Sequence, residues 1–320
     1  MSAKRLHLGR FVINNGLLGA LVLMVIFFSV ASKYFMSFDN FRNILVQISI
    51  MSLIAVPMTM VIVSAQIDLS IGAVVGLMGS VVGFLMVKSG WNFWAAAAVA
   101  LSAGLLIGWF NGYVSIALKI PTFIVTLATS TSMGGVALLL TQGYPISGFP
   151  DSFSFWGQGY IGPVPVPVIF MVVIYVVGFW VMSSTAFGRR VYAVGGNEEA
   201  SRLSGIEVNK VKISVMVACS AIAAVSGILL ASRMTSGIAN AGDPYMLDVI
   251  AAVIIGGANL NGGSGTIVGT FFGILFMGIL RNGLVIMGVD AFVTYIVQGG
   301  VVLFAVALNT FKDIAAARGR

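Results

Sequence analysis

The chain is poor in the side chains that do chemistry. Of its 320 residues one is cysteine, one is histidine and only 8% are charged, against about 25% in ordinary soluble domains. The lone Cys219 lies in an apolar run, which excludes an internal disulfide. The lone His7 sits near the N-terminus with no clustered partners, so no metal-ligand spacing exists. No Gly-Lys dipeptide occurs. That excludes a Walker A phosphate loop, so any nucleotide chemistry belongs to another chain. No nucleophile–base pair is visible, which sets aside a membrane-embedded enzyme. Glutamate is confined to one place: Glu198, Glu199 and Glu207 are all there is.

What is abundant is hydrocarbon. Hydrophobic residues make up 59% of the chain, and mean hydropathy is +1.05. Nine stretches carry no charge or histidine over about 19 residues or more: 11–32, 43–67, 69–87, 89–118, 120–150, 152–188, 213–232, 249–280 and 291–311. One membrane span needs about 20 apolar residues. The stretch 249–280 is interrupted by Gly256-Gly257, Asn259, Asn261 and Gly262-Gly263, and reads as two segments. The fold class expected is therefore all-α: a polytopic membrane protein of about ten transmembrane or re-entrant helical segments, forming a single domain over 1–320. The first apolar stretch follows Lys4, Arg5 and Arg10 and is long for a cleaved signal, so it reads as an anchor.

The net charge of +7 would suggest nucleic acid as a partner of a soluble protein. Here the cations sit at span ends, where they set orientation instead. With the N-terminus inside and ten segments, the inner side receives Lys4, Arg5, Arg10, Lys119, Arg189, Arg190, Arg202, Lys210, Lys212, Lys312, Arg318 and Arg320. The outer side receives Lys33, Arg42, Lys88 and Arg233, while Arg281 falls near a span end and is left unassigned. Twelve against four places both termini in the cytoplasm. The longest outer loop, about 141–167, holds five of the eight prolines and a set of aromatics that includes Tyr144, Phe153 and Trp156. It reads either as a docking or gating surface for an external protein, or as an interfacial lid.

One polar island interrupts the oil, at 185–212. It holds every glutamate and five of the 17 basic residues. Its local signals spell a short helix. Gly195-Gly196 breaks the chain and Asn197 caps the amides that follow. Glu198 and Glu199 suit the positive first turn, and Arg202 the last. Gly205 ends the helix in a left-handed conformation. About seven residues make a helix of roughly 10 Å, too short to be stable alone in water. Ala200 and Leu203 give it a small apolar face. It is either a capped turn between spans or an element held by a partner.

Glycines recur every four residues at Gly72/Gly76, Gly104/Gly108/Gly112 and Gly265/Gly269/Gly273. That spacing lets helices approach closely in a membrane. The segment DLSIGAVVG (68–76) echoes NGGSGTIVG (261–269). Ionisable groups within or beside spans are few: Asp68, Asp248 and Arg281. Such groups are functional candidates by default, though Asp68 and Asp248 can equally cap helices. Asn111, Asn261 and Asn282 adjoin glycine, and Asn259 lies in the same glycine-rich run as Asn261. They can line a pathway for a polyhydroxylated solute or satisfy backbone where helices break. An ion-driven secondary transporter of a small neutral solute would carry acidic or histidine relays in its spans. This chain has only two candidate aspartates, so a permease subunit driven by a separate ATPase fits better.

At the polar island the sequence resembles a known family. RRVYAVGGNEEASRLSGIEVNKVKI (189–213) is similar to the cytoplasmic coupling loop of bacterial sugar ABC-importer permeases of the ribose type. IDLSIGAVVGL (67–77), IPTFIVTLATS (120–130), LDVIAAVIIGGANLNGG (247–263) and IVGTFFGILFMGILRNGLVIMGV (267–289) resemble that family too, so the likeness covers essentially the whole chain. It implies an inner-membrane permease that pairs with a second permease copy, identical or a sister, to form a pore. A periplasmic binding protein delivers a sugar. An ATPase with two nucleotide-binding halves binds ATP and Mg, so this chain needs no cofactor and has no catalytic residue of its own. Gly195, Gly196, Asn197, Glu198 and Glu199, with Ala200, Leu203 and Gly205, are the part seated in that ATPase. Asp68, Asn111, Asp248, Asn259, Asn261 and Asn282 remain the pathway or gate candidates. Two positions depart from the pattern. The family usually has glycine just before the IDLS motif, where this chain has Ala65-Gln66. Pro57 stands where glycine is common.

Overall fold

The computed structural model describes residues 16–290, 292–301, 303 and 307 in full, and residues 2–15 by backbone alone. The side chains of Lys4, Arg5, His7 and Arg10 lie outside the described residues, as do Lys312, Arg318, Arg320 and most of 302–311.

Helices follow one another with short connections. They are α1 (Ser2–Ala31), α2 (Phe38–Val63), α3 (Ile71–Gly83), α4 (Phe93–Ala117), α5 (Thr122–Thr141), α6 (Asp151–Gln158), α7 (Val166–Ser184), α8 (Ala186–Gly196), α9 (Glu198–Leu203), α10 (Val208–Met234), α11 (Asp243–Ile255) and α12 (Ile267–Ile286). α3 continues into a π-helical turn, Phe84–Lys88. Sequence marks their starts: Ser37 accepts a hydrogen bond from the amide of Asn40, Asn92 from that of Ala95, and Thr266 from that of Gly269. Seven helices are long and apolar enough to cross a membrane: α2, α3 with its π turn, α4, α5, α7, α10 and α12. The apolar part of α1, the short α11 and the apolar helix Phe292–Val301 bring the segments among the described residues to ten.

The stretch 249–280 does divide in two. α11 has 13 residues, about 20 Å of helix, which is too short for a hydrocarbon core of about 30 Å. Irregular backbone follows at 256–266, with Ala258 and Gly265 buried and Gly257, Asn261, Ser264 and Thr266 exposed. One expectation needs correction. Asp248 does not open or cap this segment; the helix starts at Asp243-Pro244, so Asp248 lies inside α11 and is buried.

The bundle is built on α2 and α10. Nearly all of α2 from Ile48 onward is buried, including Pro57, while α4, α5 and α7 leave most of their surface outward. The glycine spacings serve close packing. A Cβ added at Gly104, Gly108 or Gly112 would strike the backbone of α10 at Ser220, Met216 and Ile213. Gly269 and Gly273 of α12 rest in the same way on carbonyls of Gly256 and Ala252.

Residues 141–167 form a folded cap over one face. Ile146–Ser147 pairs antiparallel with Ser236–Gly237. The Ser232 hydroxyl of α10 donates to the Phe153 carbonyl and accepts from the Gly157 amide (2.8 Å), which pins α6 down. Phe149 stacks on Phe153 at 4.4 Å and Phe93 on Trp156 at 5.2 Å. The Arg42 guanidinium lies 4.4 Å from the Tyr160 ring. This is the geometry of a lid, with aromatic mass at the end of the bundle opposite the polar island.

The basic asymmetry of the sequence predicts that lid outside and residues 185–212 inside. In a Cys219→Ser background, single cysteines at Ser152 and Ser204, both exposed, test this; Ser201 is buried and would not report. An impermeant thiol reagent applied to intact cells should label position 152 and spare position 204. The reverse pattern would invert the orientation.

Candidate coupling surface and solute pathway

The polar island folds into two helices at an angle. The expected break at Gly195-Gly196 does not occur there, because α8 runs through both glycines. Gly195 is needed for approach instead: a Cβ on it would collide with the Val63 carbonyl. The break falls one residue later. Asn197 is extended (φ −161°, ψ 107°), and its side chain accepts from the Ala200 amide at 2.9 Å, which starts α9. Gly205 closes the helix at φ +80°, and the amide of Ile206 reaches back to the Ser201 carbonyl at 3.0 Å.

Glu198 ties the short helix down. It pairs with Arg202 one turn on at 3.0 Å and with Lys212 at the start of α10. The Lys212 hydrogen bond, supported by Arg202, holds the Glu198 carboxyl below the usual carboxylate range against the opposing effect of partial burial. Its neighbours point away. Glu199 and Ala200 are exposed, and Leu203 is 82% exposed, unusual for a leucine. α9 is thus fixed from below and offers an acid and two apolar side chains above.

The support beneath is backbone on backbone. The Val63 carbonyl at the end of α2 accepts from the Gly263 amide at 2.8 Å. Tyr192 of α8 donates its hydroxyl to the Gly265 carbonyl at 2.7 Å. Gly262 packs against Ala65. The end of α2 and the 261–265 loop therefore meet, directly under the polar island. Asn259 belongs to this loop. Its carbonyl accepts from Gly262, its amide donates to Ser264, and its side chain accepts from the amide of Asn261 at 2.8 Å. Asn261 itself is exposed.

A second polar cluster lies between α3, α4 and α5. Asp68 is fully buried, and its Oδ1 accepts from the amide (2.8 Å) and hydroxyl (2.6 Å) of Ser70. It does not cap the first turn of α3, which has no side-chain cap. Asn111 donates to the Ser70 hydroxyl at 3.0 Å and accepts from Thr129 at 2.6 Å. The hydroxyls of Thr122 and Thr126 accept from the amides of Ile67 (3.3 Å) and Leu69 (3.0 Å). Threonines spaced four and three apart on α5 thus stitch down the non-helical 64–70 segment. The spacing was visible in the sequence, but nothing there showed what it would face. Next to this cluster, a cavity of about 590 Å³ opens among Gln66, Lys119, Thr122, Arg202, Asn209 and Lys212.

The remaining candidates lie elsewhere. Asn282 forms a reciprocal amide pair with Asn40, at 3.0 and 2.9 Å, joining α12 to the start of α2. Asp248 faces Arg281 across 3.9 Å, joining α11 to α12. The structure thus brings Asp68 and Asn111 together, brings Asn259 and Asn261 together, and leaves Asp248 and Asn282 to interhelical pairs.

A many-helix apolar bundle with a capped polar element on one face and a folded lid on the other defines a multi-pass transport permease. Residues 40–306 match the family described as branched-chain amino acid transport system / permease component, and the chain belongs to that family. It is 40% identical to the ribose import permease protein of Bacillus subtilis over 97% of both chains. It is 38% identical to that of Haemophilus influenzae over 95% of both. It is 32% identical to the xylose transport system permease protein of Escherichia coli, over 96% of this chain and 93% of the other. No solved structure gives a significant match.

Two outcomes follow from the geometry. Asn111→Leu removes the acceptor of Thr129 and a donor to Ser70. It should lower the thermal midpoint of the purified permease by an amount equivalent to about 1–3 kcal/mol; an unchanged midpoint would show the network to be dispensable. Glu198 has its carboxyl pKa lowered by folding, so its contribution is complete above the ordinary carboxylate pKa and is lost as pH falls through the folded value. Hydrogen exchange in 198–204, corrected for intrinsic rates, should be flat from about pH 6 to 8 and rise only below the carboxylate range. Glu198→Gln should show the raised exchange at neutral pH.

Proposed function

We propose that this chain is the inner-membrane permease subunit of a sugar ABC importer, forming the translocation pathway for a sugar or related polyol. The family name is broader than sugar. The narrower reading is supported by relatives matched over nearly their full length, which are ribose and xylose permeases. Power comes from a separate ATPase with two nucleotide-binding halves, which binds ATP and Mg. A periplasmic binding protein delivers the solute to the lid side, and a second permease copy completes the pore. Both termini lie in the cytoplasm.

One observation carries the reading. A six-residue helix cannot order itself in water, yet α9 is capped, ion-paired and packed against α8 and the start of α10. It then leaves Leu203 and Glu199 uncovered. A rigid, exposed contact of this kind suits a partner that pushes on it. The cavity beside it is lined by the hydroxyls and carboxamides of Ser115, Thr122, Gln66 and Asn209 together with Lys119 and the paired Glu198, Arg202 and Lys212.

The test is coupling in a reconstituted complex with its ATPase and binding protein. Leu203→Asp puts a charge on the apolar contact, and Glu199→Lys puts a cation at the positive helix end. Neither touches a span, so insertion should be normal. ATP hydrolysis stimulated by loaded binding protein and solute uptake should fall together, by on the order of tenfold or more for Leu203→Asp. Wild-type coupling in both variants would reduce 197–204 to a solvated turn.

A further inference from the structure

We infer that Gln66 is a solute-contacting residue that helps set which hydroxyl pattern the permease accepts at the inner end of its pathway. The inference rests on the sugar-import reading above and adds the residue that reads the sugar.

The segment 64–70 is otherwise fully engaged on its cavity side. Its amides at Ile67 and Leu69 are held by Thr122 and Thr126, and the backbone amide of Gln66 donates to the Val61 carbonyl at 3.1 Å. The carboxamide of Gln66 is the exception. The residue is 3% exposed, and neither Nε2 nor Oε1 has a partner. Buried polar groups are nearly always paired, so one left open in both its donor and acceptor needs a reason. Its backbone setting is costly as well. Ala65 sits at φ 59°, in the left-handed region that favours glycine. This is the place where the ribose-type pattern has glycine before IDLS, and a glycine there has no side chain to offer a solute.

Gln66 forms part of the wall of the 590 Å³ cavity beside Thr122 and Lys119, with its carboxamide closed off in this conformation and reached by a solute when the 64–70 segment shifts; small-ligand sites typically measure about 300–1,000 Å³. A carboxamide presents a carbonyl acceptor next to an NH₂ donor. That pair matches two adjacent hydroxyls, one donating and one accepting. It does not favour an ion of either sign. Of the cations near the cavity, Arg202 and Lys212 are already engaged by Glu198. Asp68 also leaves one oxygen unpaired, but it does not line this cavity and is not part of the assignment.

The experiment uses proteoliposomes holding the permease with its ATPase and binding protein. Uptake of radiolabelled D-ribose, D-xylose, D-galactose and myo-inositol is measured and normalised to assembled complex. Gln66→Leu keeps the bulk and removes both hydrogen bonds, so uptake of the best wild-type solute should fall by about tenfold. Gln66→Gly removes the reading group, so the ratio of best to poorest probe should shrink. A merely structural glutamine would move stability but not that ratio. Unchanged rates and rank order in both variants would overturn the assignment of Gln66 and leave the sugar reading standing. Import of none of the four probes by the wild type would overturn the sugar reading, and the assignment with it.

Discussion

The arrangement turns on one carbonyl. Val63 ends α2, and its oxygen accepts the Gly263 amide while Gly195 presses against it. Three parts of the chain far apart in sequence meet at that atom: the end of the central helix, the irregular 256–266 backbone, and the helix that leads into α9. In hydrocarbon every backbone group needs an internal partner, so broken helices survive only where they satisfy each other. The end of α2 and the 261–265 loop do this at the polar-island end of the bundle. α8 rests on them and leads into α9. A side chain at 195 would lift α8 off that seat, and both breaks would lose their cover.

The same economy governs the buried polar side chains. Asn40 and Asn282 satisfy one another. Asn111 spends its donor on Ser70 and its acceptor on Thr129. Ser232 uses its hydroxyl twice to hold the lid. Single buried atoms of Ser52, Asp68, Tyr175, Ser220 and Gln298 depart from this economy, and Gln66 departs with both ends of its carboxamide.

Much of this was legible in the residues. Ten segments follow from the uncharged stretches, and the helix-packing stripes follow from glycine every four. The cap at Asn197, the acidic first turn and the end at Gly205 all follow from local chemistry, which acts over a few residues. What was not legible depended on distant contacts. Gly195-Gly196 read as a break because glycine usually marks one; only the Val63 carbonyl shows that Gly195 lets the helix come close. Asp248 read as a cap because it precedes an apolar run, but the Asp243-Pro244 start was one turn earlier. The partners of Asn111 and Asn282 were hidden as well, because a lone sequence cannot show that Thr129 and Asn40 pair with them.

The helix α10 reaches from one surface of the protein to the other. Its first turns hold Lys212 against Glu198 of α9, and its last turns hold Ser232 under the lid. Twenty-seven residues make a rod of about 40 Å, clamped along its length by the glycines of α4. A stiff rod pinned at both ends moves as one body. The lid and α9 are therefore joined through a single piece of secondary structure. A tilt imposed at one surface arrives at the other with no chain of side-chain rearrangements in between.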